Sequence, residues 1–187
     1  MKIFASLCLL LALSTAGMAQ KKGKSLELPE FPRDEKTNLV SYNEVVTETG
    51  DKTALYEKGK KWFNTYYKSP SSVIKKQDME AGVISGRGRI KLWDIDPKTG
   101  ERIKTGGIAL YTITIQFKDG RYRYEITDIQ WKQASTFPMK KWIDENEKKF
   151  NWQYANFLAQ VDQEVKALIE DLKADMSVAA ESAGEDW

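Results

Sequence analysis

Between residues 108 and 131 the chain holds two runs of alternating apolar and polar side chains, separated by Asp119-Gly120. An Asp-Gly pair between such runs signals a two-residue type I′ hairpin. That turn decides which residues face each other, and because strand side chains alternate, it also decides the face each one takes. Pairing Lys118 with Arg121 sets Phe117 opposite Tyr122, Ile115 opposite Tyr124 and Ile113 opposite Ile126. Gln116 then meets Arg123, Thr114 meets Glu125 and Thr112 meets Thr127 on the other face. One apolar and one polar face is the pattern of an antiparallel sheet covered by helices on one side only.

The neighbouring segments supply the rest of such a layer. Residues 39–47 are rich in β-branched and aromatic types and read as a strand. Gly50-Asp51 ends it, with Asp51 placed to cap a helix. Leu55, Gly59, Trp62 and Tyr66 recur at helical spacing, and Gly59 on that face suits a close approach to a sheet. Residues 69–72 close the helix. Strands follow at 73–79 and 83–93, joined by Glu80-Ala81-Gly82. The turn at 96–100 then leads to the hairpin strands 108–118 and 121–131. Pro138 opens a helical segment with Trp142 and Ile143. A longer run places Tyr154, Leu158, Val161, Val165, Leu168 and Leu172 at alternating spacings of four and three. Phe157 and Ile169 widen that stripe, so packing on the sheet is favoured over a free coiled coil. A homodimer through this helix stays open. The expected fold class is α+β: a five-stranded antiparallel sheet in the order β-α-β-β-β-β-α, with helices on one face. It forms one domain over 37–176, between a flexible lead-in at 20–36 and a small acidic tail at 177–187.

The ends and the composition bound the function. Lys2, the apolar run 3–13 and the small residues of Gly17-Met18-Ala19 read as a signal peptide cleaved near Ala19, which predicts a secreted or periplasmic product. The only cysteine, Cys8, lies inside that run, and there is no histidine. A Ser-His-Asp triad, a histidine zinc site and a thiol nucleophile are therefore closed to the mature chain. Carboxylates, Lys, Tyr or Ser-Lys remain. No catalytic residue, no metal and no cofactor are assigned.

A resemblance joins these readings. Phe31-Pro-Arg-Asp-Glu-Lys-Thr-Asn-Leu-Val-Ser-Tyr42, then Leu55-Tyr56-Glu57 with Lys61-Trp62-Phe63, then Lys118-Asp-Gly-Arg-Tyr-Arg-Tyr124 resemble a family of exported bacterial proteins. It is known only as a domain of unknown function with a TATA-box-binding-protein-like (TBP-like) fold. The resemblance covers about residues 30–131 and implies a β-α-β4-α architecture. It brings no established catalytic residues. The loop 94–107 is longer than the family's, which leaves the extent of the middle strand pair open.

Gly86-Arg87-Gly88 lacks the spacing of a phosphate loop, and two glycines in phase with Ile84 and Ile90 instead make room for a helix. Asp94-Ile-Asp96 departs from a calcium loop at Lys98 and Gly100 and reads as a polar turn. Arg87, Arg89 and Lys91 share one strand face, where Arg121 and Arg123 join them if the strands are neighbours. Residues 20–138 hold 22 basic and 16 acidic side chains, a net +6, against 6 and 11, a net −5, for 139–187. The sharp reading is an anion-binding surface on the open sheet face, for an acidic glycan, a lipid headgroup or an envelope protein. The plain one is a solvated face that deters aggregation. Trp93 and Trp131 fall on the same phase by hairpin register and could form an aromatic platform there. Burial under the Trp142 segment is the favoured alternative. Nucleic acid is rejected as a partner, since the polar face lacks apolar wedges and strong basicity. The favoured function is a non-enzymatic binding module using the residues Arg87, Arg89, Lys91, Trp93, Arg121, Arg123 and Trp131. The alternatives are a small carboxylate-dependent hydrolase with Glu125 and Asp128, which the strand period sends to opposite faces, and an envelope module dimerising through the last helix.

Overall fold

The computed structural model describes residues 28–144, 146 and 150–177. The signal-peptide reading and most of the acidic tail lie outside the described residues. In chain order the elements are β1 (Tyr42–Thr47), α1 (Lys52–Tyr66), the four-residue α2 (Pro70–Val73), β2 (Ile74–Asp78), β3 (Val83–Ile95), β4 (Arg102–Lys118), β5 (Arg121–Lys132), β6 (Thr136–Pro138) and α3 (Trp152–Ser177). The antiparallel sheet runs β1-β5-β4-β3-β2, with the three-residue β6 on β5 as a sixth strand.

The hairpin register is the expected one: Lys118 pairs with Arg121, Phe117 with Tyr122, Ile115 with Tyr124 and Ile113 with Ile126. The inner face buries Ile84, Ile113, Ile115, Phe117, Tyr122 and Ile126, all at 1 % exposure or less. A fully buried side chain of this kind stabilises the fold by roughly 1.5–3 kcal/mol relative to exposure. Both long helices cover that face. Asp51 caps α1, its carboxylate accepting the Ala54 amide at 2.7 Å. Leu55, Gly59 and Trp62 are buried, and the Trp62 indole N–H donates to Asp171 of α3 at 2.7 Å. Gly59 is required there, because a Cβ would lie 2.3 Å from Cζ of Phe117. Asn151 caps α3 through the amides of Gln153 and Tyr154. The α3 stripe Leu158, Val161, Val165, Leu168 and Leu172 is buried, so its apolar surface is spent on the domain's own core.

Four features depart from the sequence reading. The lead-in contributes to the core: Phe31 is buried, and Arg33 bridges to Val40. The middle strand pair continues into the long loop, so that Ile95 pairs with Arg102 around the tight turn headed by Asp96. The segment after Pro138 forms a single 3₁₀ turn, Met139–Lys141, preceded by β6, in place of a helix. Finally, β5 carries a bulge. Thr112 pairs with Thr127, but Leu110 pairs with Gln130, so β5 holds one extra residue. Asp128 sits at φ 52°, the left-handed region that short polar side chains tolerate. Past it the alternation inverts, and Ile129 and Trp131 turn inward.

Candidate functional site

The bulge divides the seven residues singled out on the strands. Trp131 does not reach the open face. It is 5 % exposed, bonds the Gly106 carbonyl through its indole N–H at 2.9 Å, and packs against Trp142, Tyr154 and Phe157. No platform with Trp93 exists, because the extra residue in β5 moved Trp131 to the opposite side of the sheet. The same bulge corrects the carboxylates: Glu125 and Asp128 both reach the open face, where Glu125 lies 3.8 Å from the Arg123 guanidinium and Asp128 lies 3.8 Å from Arg87. Two of the candidate cations are thus already facing a carboxylate. Arg121 lies beside the hairpin turn, opposite Lys118 and Thr47, far along the strands from Arg89.

Arg89, Lys91 and Trp93 do come together, with residues the sequence reading did not single out. They border a cleft of ≈ 430 Å³ at the outer edge of β3. Arg102 at the start of β4, Lys68 just past α1, and Tyr66, Tyr67, Tyr111, Glu164 and Leu168 complete it. Lys91 Nζ lies 4.0 Å from the Trp93 ring centroid and the Arg102 guanidinium carbon 5.1 Å, so two cations share one indole. Among the described residues, none of Lys68, Arg89, Lys91 and Arg102 forms an ion pair. Glu164 is the one carboxylate on the rim.

The floor is phenolic. Tyr67 and Tyr111 hydroxyls stand 3.0 Å apart, so one donates to the other. Burial pushes both pKa values well up, and both phenols stay protonated at neutral pH. One hydroxyl proton is left over for an acceptor. Gly88 makes this floor, since a Cβ there would lie 2.1 Å from the Tyr111 ring. Protonated phenols below and cations above suit a carboxylate or another anion.

The cleft exists because β2 is short. It pairs β3 only from Val83 to Gly86, and beyond that β3 has no strand on its outer side among the described residues. At Trp93 the edge is closed by α3: the Gln160 side chain accepts the Trp93 amide at 2.9 Å and donates to its carbonyl at 2.8 Å. Arg102 could have been found from sequence, because a tight turn at 96–100 implies paired strands on both sides of it. Lys68, Tyr67 and Tyr111 carry no local signal, since only the packing of α1 on the sheet brings them to this edge.

Helices packed on one face of this strand order define a TBP-like α+β domain. Residues 42–132 match the family model described as a domain of unknown function (DUF4468) with TBP-like fold. Two solved structures are similar. A DUF4468 family protein from Bacteroides ovatus has a TM-score of 0.60 at 16% identity, over 82% of this chain and 94% of that one. A TBP-like protein from Parabacteroides distasonis has a TM-score of 0.61 at 18% identity, over 79% and 98%. At these identities the likeness concerns the fold. No curated protein matches the chain.

Proposed function

We propose that this protein is an exported, non-enzymatic binding module that takes an anionic ligand in the basic cleft at the β3 edge. The observation that carries it is the cluster of four cations without an ion-pair partner among the described residues, Lys68, Arg89, Lys91 and Arg102, around a pocket with one carboxylate and a floor of protonated phenols. Holding like charges together without a counter-charge costs free energy that an anion would recover. The export half of the reading rests on the leader at residues 1–19. The acidic glycan, lipid headgroup and envelope protein expected for an open-face surface all remain chemically suited to this narrower site.

The test is titration of the protein with polygalacturonate, phosphatidylglycerol vesicles and an acidic peptide at two salt concentrations. Arg89→Glu with Lys91→Glu should weaken whichever probe binds by about tenfold or more, as expected for removing close charge pairs. Binding that ignores the double reversal, or no binding by any probe, overturns the proposal.

A further inference from the structure

We infer that the ligand of this cleft is an extended acidic peptide segment, which adds to β3 as an antiparallel strand beside Arg89 and Lys91. This rests on the anionic-cleft reading and narrows it to one class of partner.

The Gln160 clasp carries the inference. Its primary amide holds the N–H and the C=O of Trp93 together, which is what the backbone of a neighbouring strand does for an edge residue. Both backbone groups of Trp93 therefore point outward from the sheet. Strand backbone repeats every two residues, so the corresponding groups of Lys91, Arg89 and Arg87 point to the same side. At the other end of the strand the outer side is occupied by β2, which pairs with β3 from Val83 to Gly86. Between these two closures β3 pairs with no strand on its outer side among the described residues. Two outward rungs, at Arg89 and Lys91, are left open in a chain that fills the rungs on either side.

Charge selects the occupant. An antiparallel second copy centred on this stretch would set Arg89 against Arg89 and Arg87 against Lys91, and like charges directly opposite are destabilising. The edge is guarded against itself. A segment with Glu or Asp at alternate positions meets Arg89 and Lys91 favourably, while Arg87 already faces Asp128 at 3.8 Å. Its intervening side chains turn to the inner side, where Tyr67, Tyr111 and Leu168 line the cleft. Main-chain bonds then supply affinity and alternate side chains supply specificity, the usual division in strand addition. Glu164 is the one group on the rim that opposes such a ligand.

The experiment uses the blocked octapeptide of alternating Glu and Val, with polygalacturonate as the non-peptide anion. In antiparallel pairing the Glu residues opposite Arg89 and Lys91 direct their N–H groups at β3, and the Val residues direct theirs away. N-methylation of the Glu amides should weaken binding by about tenfold or more, the loss for two or more backbone hydrogen bonds. N-methylation of the Val amides should leave it unchanged. Glu164→Gln should tighten the unmodified peptide. Hydrogen exchange at the Arg89 and Lys91 amides should slow on peptide binding. If the two methylated peptides bind alike, or if polygalacturonate binds in an Arg89-dependent way while the peptide does not, strand addition is overturned and the anionic cleft stands. If no anion binds, both fall.

Discussion

Two halves of one hairpin, made of similar residues, behave differently. From the Asp119-Gly120 turn back to Thr112 and Thr127, the pairing follows the two-residue period rung by rung. Beyond Asp128 the same kind of alternation puts Ile129 and Trp131 on the buried face, although simple counting from the turn assigns them to the polar one. A turn transmits register only as far as the first extra residue. That residue is inconspicuous: one aspartate at φ 52° in a run of ordinary strand types. The neighbouring strand β4 has an irregularity of its own against β3 at Gly106-Gly107, and the Gly106 carbonyl receives the Trp131 indole.

The contrast can be broken at its origin. Deleting Asp128 restores an uninterrupted period and drives Trp131 outward. Urea unfolding should show a loss of about 3–5 kcal/mol, the range for removing a large aromatic from a core, and Trp131 should become solvent-quenched. Full stability of the deletion would mean that the bulge is not what places Trp131. The regular half is probed by Gly59→Ala, where the new Cβ meets the Phe117 ring at 2.3 Å. Overpacking of this kind costs about 1–3 kcal/mol, and a companion Phe117→Leu should recover part of it. A smaller effect is expected at the bulge when the residue count is kept. Asp128→Val forces a branched side chain into the left-handed region at about 1–2 kcal/mol, whereas Asp128→Asn should stay within about 0.5 kcal/mol.

The smallest effect concerns Glu44, which ties the regular half to α3. Hydrogen bonds from Lys173, first, and from the Tyr124 hydroxyl hold its carboxyl below the usual carboxylate range. A group whose folded pKa is depressed adds stability above its unfolded value and loses it as pH falls through the folded one. Glu44→Gln should therefore flatten the stability curve below about pH 4.3, the ordinary glutamate value, and leave the slope above about pH 6 unchanged. An acid limb as steep as the parent's would show that Glu44 carries none of it.

These differences also explain how much could be read without coordinates. The sheet's two faces, its order of elements, the Asp51 cap and the close approach at Gly59 follow from periodicity and turn chemistry, which are local. Gly86 and Gly88 fall on the buried face by phase alone, but the space at Gly88 is filled by the Tyr111 ring of β4 and not by a helix. The site was legible only in part. Arg89, Lys91 and Trp93 stand two apart on one strand, so their common face is a local fact. Whether Arg87 and Arg123 are free depends on Asp128 and Glu125 reaching the open face, and for Asp128 the bulge decides that. Lys68, Tyr67, Tyr111 and Gln160 meet β3 through tertiary packing, which leaves no spacing rule in the chain.

The Gln160 amide has one more consequence. A side chain that occupies a single rung acts as a doorstop: anything zipping along β3 from the β2 end must halt before Trp93. Under the proposed strand addition the edge would measure its guest, pairing only with the stretch set against Arg89 and Lys91 and turning longer segments aside over Arg102. Replacing that one amide would lengthen the ruler without altering the cations that recognise what is being measured.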